Sequence, residues 1–179
     1  MRHPATPSFM SWCIILLLSL SAASAQKPQT PCLRGTYTLD TAASDDIDKA
    51  IKATVEGMNF IAKPIARKRL RETNIPPYQR IIISYTQAEV SITTDQRAPI
   101  RTPVKGTPVD WRREDGEKLK VSTVWENGKL RQTFKGEEGQ RVNLYSITAD
   151  EETLTMQVSV TSPKLPRPLT YKVVYKRII

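Results

Sequence analysis

The chain has 179 residues, 39% of them hydrophobic, with 27 Lys and Arg against 18 Asp and Glu for a formal net charge of +9. Its length suits one domain, and the basic excess favours solubility and attraction to anionic surfaces without bearing on the fold. The single histidine, His3, and one of two cysteines, Cys13, fall in a leading segment expected to be removed. What remains has no Ser-His-Asp or Cys-His catalysis, no histidine-ligated zinc, no internal disulfide and no thiolate cluster.

Residues 1–25 carry Arg2 and His3, an apolar run from Trp12 to Leu18 and then Ala23-Ser24-Ala25 before Gln26. This is the pattern of a signal peptide, and the apolar run is well short of the ~20 residues of a spanning helix. The product is therefore expected to be secreted or periplasmic. Residues 26–33, with Pro28, Pro31 and the one remaining thiol at Cys32, read as an extended leader to a single domain over 34–179.

Tyr37 and Leu39 alternate with Thr36 and Thr38 in a first strand. The period then changes. Ser44 reads as an N-cap with Asp45 and Asp46 in the first turn, where they meet the positive end of the helix dipole. Ile47, Ala50, Ile51, Thr54, Val55, Met58, Ile61, Ala62 and Ile65 follow at helical spacing as one apolar face. Pro64 interrupts it, predicting two short helices or one kinked helix over 44–70. After Asn74-Ile75-Pro76-Pro77 only strand signals remain. They cover Arg80–Thr86 and Glu89–Thr94, then, past an irregular stretch with Pro99, Pro103 and Pro108, Val109–Trp111, Lys118–Trp125, Leu130–Phe134, Arg141–Thr148, Thr153–Val160 and Thr170–Arg177. Asn127-Gly128 suits a type I′ hairpin turn.

Leu154, Met156, Val158 and Val160 share one face of their strand, and Tyr171, Val173 and Tyr175 share one face of the last. One buried and one wet side, tight turns and no crossover helices predict a mainly β fold. The expected form is an antiparallel up-and-down barrel of about eight to ten strands with a helical insertion between the first two. This order resembles the calycin superfamily of lipocalins and fatty-acid-binding proteins. Gly35-Thr36-Tyr37 looks like that superfamily's Gly-x-Trp, with tyrosine for tryptophan, and Arg177 or Lys176 like the basic residue that packs over its ring. The insertion at 44–70 and the ending Tyr171-Lys-Val-Val-Tyr175-Lys-Arg177 are similar to fatty-acid-binding proteins. The resemblance implies a lidded barrel that holds a small apolar or amphipathic molecule. It also implies a carboxylate site of two arginines and a tyrosine. Tyr175 fits the tyrosine, Val173 stands in one arginine's place, and the other would fall near Ser146, so neutral ligands are expected to be preferred over carboxylates.

The residues expected to line the pocket are Tyr85, Thr123, Trp125, Gln132, Phe134, Met156, Tyr171, Tyr175 and, if it turns inward, Arg177. Thr123 and Gln132 are in phase with apolar neighbours, a pattern that fits a wet cavity or equally a hydrogen bond between the two. Lys63, Arg67, Lys68, Arg69 and Arg71 form a cationic end to the helical segment. They would suit peripheral docking on an anionic surface, but the favoured reading is that they complement the helix dipole and keep the exposed face soluble. The carboxylate pairs Asp45/Asp46, Glu137/Glu138 and Glu151/Glu152 sit at a helix start and in turns, where they are solvated. No enzyme activity, cofactor, metal or nucleic-acid partner is expected, and the chain is expected to be a monomer. The alternative is a secreted or envelope interaction module, an inhibitor for instance, with a solid barrel and binding loops.

Overall fold

The computed structural model describes residues 32–95 and 97–178, so the expected signal peptide and most of the leader lie outside the described residues. Ten strands form one antiparallel sheet: β1 (Gly35–Asp40), β2 (Arg80–Tyr85), β3 (Glu89–Thr94), β4 (Ile100–Pro103), β5 (Val109–Arg112), β6 (Lys118–Glu126), β7 (Lys129–Lys135), β8 (Gln140–Ile147), β9 (Thr153–Thr161) and β10 (Leu169–Ile178). Two helices, α1 (Ile47–Val55) and α2 (Ala62–Asn74), lie between β1 and β2. The spatial order β4-β3-β2-β1-β10-β9-β8-β7-β6-β5 is a meander whose first strand pairs with its last. The barrel is thus nearly closed, with β4 and β5 the unpaired edges. β4 lies against β6 at this seam, and Gly106, at φ +80°, lets the connecting chain press on Val124 where a Cβ would collide.

The expected fold class and the helical insertion are both present. Alternation decides which side chains enter: Tyr37, Ile81, Ile83, Val90, Ile92, Leu130, Leu154, Met156, Val158, Val173 and Tyr175 are buried together. Four details differ from the sequence expectation. The α1 N-cap is Asp46, whose carboxylate accepts from Lys49 N at 3.0 Å. Ser44 instead donates to Asp40 O and accepts from Val174 N, while Asp45 accepts from Lys172 N, so both tie the helix start to β10. Helix α2 runs to Asn74 rather than Leu70, and Pro64 does not break it because it falls in the first turn, where no intrahelical donor is needed. The two helices also do not share one apolar face: the break at 56–61 changes the phase, leaving Ile61 and Ile65 about two-thirds exposed while Ile47, Ile51 and Val55 are buried. Finally, the irregular stretch contains β4, with Pro103 at the end of an edge strand that has no outer partner to lose.

The end of the barrel away from the helices is sealed by Arg177. Its guanidinium lies 5.0 Å over the Tyr37 ring and donates to Cys32 O, Arg34 O and Glu151 O at 2.9, 2.7 and 2.5 Å. Gly35 is required beneath it, since a Cβ there would meet Arg177 Nη1. Below the seal, Tyr37 OH donates to the carbonyl of the fully buried Leu33. Of the two basic residues considered for this place, Arg177 therefore takes it. Arg177→Ala is expected to cost about 2–3 kcal/mol, because three carbonyls lose a charged donor together with a cation–π contact. Equilibrium urea unfolding of the variant checks this.

Candidate functional site

At the helical end the barrel does not fill with side chains. A cavity of about 570 Å³ lies between α2 and the inward faces of β5–β9, with Trp111, Leu119, Phe134 and Val160 on the sheet side and Ala66 and Leu70 on the helix side. Register explains the grouping: Trp111 pairs with Leu119, and Phe134 pairs with both Val121 and Arg141, so each points into the barrel. The Trp111 and Phe134 rings meet edge to face, with centroids 5.8 Å apart. A second cavity of about 200 Å³ reaches Met156, Tyr171 and Val173 on β9 and β10. The two share Thr73, Asn74, Tyr78 and Arg141.

Arg141 is the residue the sequence reading missed. It begins the inward phase of β8 that continues through Asn143 and Tyr145, so the alternation already in the sequence would have placed an arginine inside the barrel. Nε donates to Asn143 Oδ1 at 2.8 Å, and Nη1 to Asn74 Oδ1 at 2.9 Å. Asn74 is itself fixed from both sides: its nitrogen donates to Leu70 O at 2.7 Å, and Tyr171 OH donates to its oxygen at 2.9 Å. Burial works to lower the Arg141 pKa, but the nearby phenol oxygens of Tyr171, Tyr78 and Tyr145 outweigh it, and the net shift is upward. The side chain therefore stays charged. The other cations of this mouth have carboxylate partners: Arg113 meets Asp115 and Glu117, while Arg69 and Lys164 both meet Glu138. Among the described residues, no carboxylate lies within ion-pair distance of Arg141. The expectation that the barrel offers a carboxylate no cationic partner is thereby corrected. Val173 does occupy an inward place, but Ser146 pairs with Thr155 on the outward face, and the inward arginine sits five residues earlier, nearer the lid.

The other expected lining residues separate into three groups. Phe134 lines the larger cavity, and Met156 and Tyr171 line the smaller. Thr123, Gln132 and Tyr175 face inward but are fully buried deeper in the barrel. Tyr85, Trp125 and Arg177 lie at the sealed end, where the Tyr85 and Trp125 rings stack edge to face at 5.3 Å and Tyr85 OH is 3.2 Å from Cys32 Sγ. Alternation put these residues in the inward phase, but Trp125 is left 36% exposed at the rim of the sealed end. It carried no information about which end of the barrel would be open.

The five cations of the helical segment each have an acidic neighbour: Lys63 with Glu56, Arg67 and Arg71 with Asp48, Lys68 with Glu72, and Arg69 with Glu138. The last of these, joined by Lys164, ties the lid to the β7–β8 turn. Beside them, Phe60 and Ile61 stand exposed in the turn between the helices.

No protein-family model and no curated protein sequence matches the chain. Solved structures do. A fatty-acid-binding protein from Drosophila melanogaster brain superposes with a TM-score of 0.54 at 18% identity, covering 81% of this chain and 99% of that one. The REP1-NXSQ fatty acid transporter gives 0.53 at 17% identity over 82% and 96% of the two chains. Fatty-acid-binding protein 1 of Echinococcus granulosus gives 0.53 at 12% identity over 82% and 97%. With ten meandering strands and two helices after the first, the fold is similar to that of these fatty-acid-binding-protein structures.

The interior phenols make the fold sensitive to alkali. Burial pushes Tyr37 up to about 12 against the opposing charge of Arg177, and burial likewise raises Tyr145, Tyr171 and Tyr175. Above the unfolded value near 10 the folded chain keeps protons that the unfolded chain loses. The stabilising contribution is therefore complete below pH 10 and declines as pH rises from 10 through 12. Urea midpoints at pH 8, 10 and 11 should fall in that order, with tyrosinate absorbance lagging behind that of the unfolded chain.

Proposed function

We propose that this protein binds one anionic amphipathic molecule noncovalently at the helical end of its barrel, with the anion on Arg141 and the apolar part against Trp111, Phe134 and Leu119. The observation that carries the reading is an inward, charged arginine without a carboxylate partner, on the shared wall of two cavities. A partly desolvated charge without a counter-ion is unfavourable, and a carboxylate matches the guanidinium fork in both charge and shape. The volume of the larger cavity falls within the range of small-molecule sites. Two of the similar structures are named as a fatty-acid-binding protein and a fatty acid transporter, which supports a long-chain carboxylate as the first ligand to try. The reading includes no chemical step.

Titration with hexadecanoic acid and hexadecanol, followed by tryptophan emission from Trp111, tests it. Arg141→Met is expected to weaken the acid by 10- to 100-fold, the loss of one or two charged hydrogen bonds, and to leave the alcohol unchanged. Equal binding of acid by the variant would sink the reading. If no apolar molecule binds at all, recognition of a macromolecule through the loops becomes the better account. The proposal places this binding outside the cytoplasm on the strength of residues 1–25. The intact mass of exported protein should correspond to a chain starting at Gln26, and a product retaining Met1 would remove that part.

A further inference from the structure

One step deeper than Arg141, the barrel wall carries a row of polar side chains just beyond the lining of the two cavities. Thr123 is in register with Gln132, and Gln132 with Asn143, so three neighbouring strands present a hydroxyl and two amides inward at one height. They are 0, 2 and 1% exposed. A hydrogen-bond chain sets their polarity. Arg141 Nε donates to Asn143 Oδ1 at 2.8 Å, leaving the Asn143 nitrogen to donate to Tyr145 OH at 3.3 Å, and the phenol donates onward to Gln132 Oε1 at 3.2 Å. Because a guanidinium only donates, this chain cannot run the other way. It ends on Gln132 Nε2, a buried donor with no partner among the described residues, beside Thr123 Oγ1, which likewise has none among them. Thr102 Oγ1, on the strand that lies against β6, is also buried without one. Buried polar groups are nearly always paired, and a donor left bare costs more than a made bond returns.

We propose that Gln132 and Thr123 form a second polar subsite that receives a neutral oxygen on the chain of the ligand, so that the preferred ligands are oxygenated long-chain acids bearing a hydroxyl or carbonyl. The inference rests on the Arg141 reading, which supplies the anchor for the acid. A hydroxyl oxygen accepts from Gln132 Nε2 while its proton goes to Thr123 Oγ1; a carbonyl accepts from both. Gln132 lies two residues along β7 from Phe134, which lines the cavity and pairs with Arg141. Two strand residues span about 7 Å, so the oxygen belongs several carbons from the carboxylate rather than beside it. The subsite adds affinity for the oxygenated chain, because only that chain brings an oxygen to Gln132 Nε2 and Thr123 Oγ1.

Calorimetric titration of the full protein with hexadecanoic acid and with its monohydroxy and mono-oxo isomers, the oxygen moved along the chain, tests this. Isomers oxygenated several carbons from the carboxylate are expected to bind roughly tenfold tighter than the parent, the worth of one or two neutral hydrogen bonds. Gln132→Met and Thr123→Val, each close in size to the residue it replaces, should each bring the Kd of the oxygenated isomers towards that of the parent acid measured in the same variant. Thermal unfolding confirms that each variant folds, and Thr123→Val decides the matter if the other does not. If the parent binds as well as every isomer, or the advantage survives both substitutions, the subsite is refuted and the Arg141 anchor stands. Failure of hexadecanoic acid itself to bind removes the anchor, and the subsite with it.

Discussion

The pairing of β1 with β10 is the constraint from which the rest of the molecule follows. Tyr37 lies opposite Arg177 across that pair, and the guanidinium over the ring, with its three carbonyl acceptors, joins the first strand, the last strand and the β8–β9 turn at one point. Once the ends of the meander are joined there, the helices that follow β1 can emerge only at the opposite end. One end of the barrel is therefore sealed by a cation and the other is covered by a lid.

The lid end has a different electrostatic character from the seal. Arg177 is consumed by backbone oxygens, whereas Arg141 is positioned by two asparagines and keeps its charge without a counter-ion. Neutral amide partners suit such a role, because they orient the guanidinium without cancelling its field. The surrounding pairs of Arg113 with Asp115 and Glu117, and of Arg69 and Lys164 with Glu138, keep competing cations occupied. Arg113 in particular holds Asp115 down to about 2, so that carboxylate stays ionised and paired throughout the neutral range. Among the described residues that line this mouth, Arg141 is the cation left without a carboxylate partner.

The amino-acid sequence by itself determined the alternation of nine of the ten strands to within a residue or two, because one face of each is buried and period 2 leaves no freedom in which side chains go in; β4, short and next to three prolines, left no such pattern. It determined the helical insertion, and the resemblance to the calycins left Arg177 or Lys176 to lie over the Gly35-Thr-Tyr37 strand, a choice that the structure makes in favour of Arg177. It also contained Arg141, Asn143 and Tyr145 in one phase, a signal overlooked because an arginine near a turn reads first as solvated. Tertiary structure alone decided what the alternation cannot encode: which end of each strand meets the lid. That is why Tyr85 and the partly exposed Trp125, both in the inward phase, pack together at the seal, while Trp111, on a short strand between irregular segments, lines the cavity. It also decided the cap at Asp46, since Ser44 and Asp45 are claimed by β10 from more than a hundred residues away in the chain, and long-range hydrogen bonds of that kind leave no local trace.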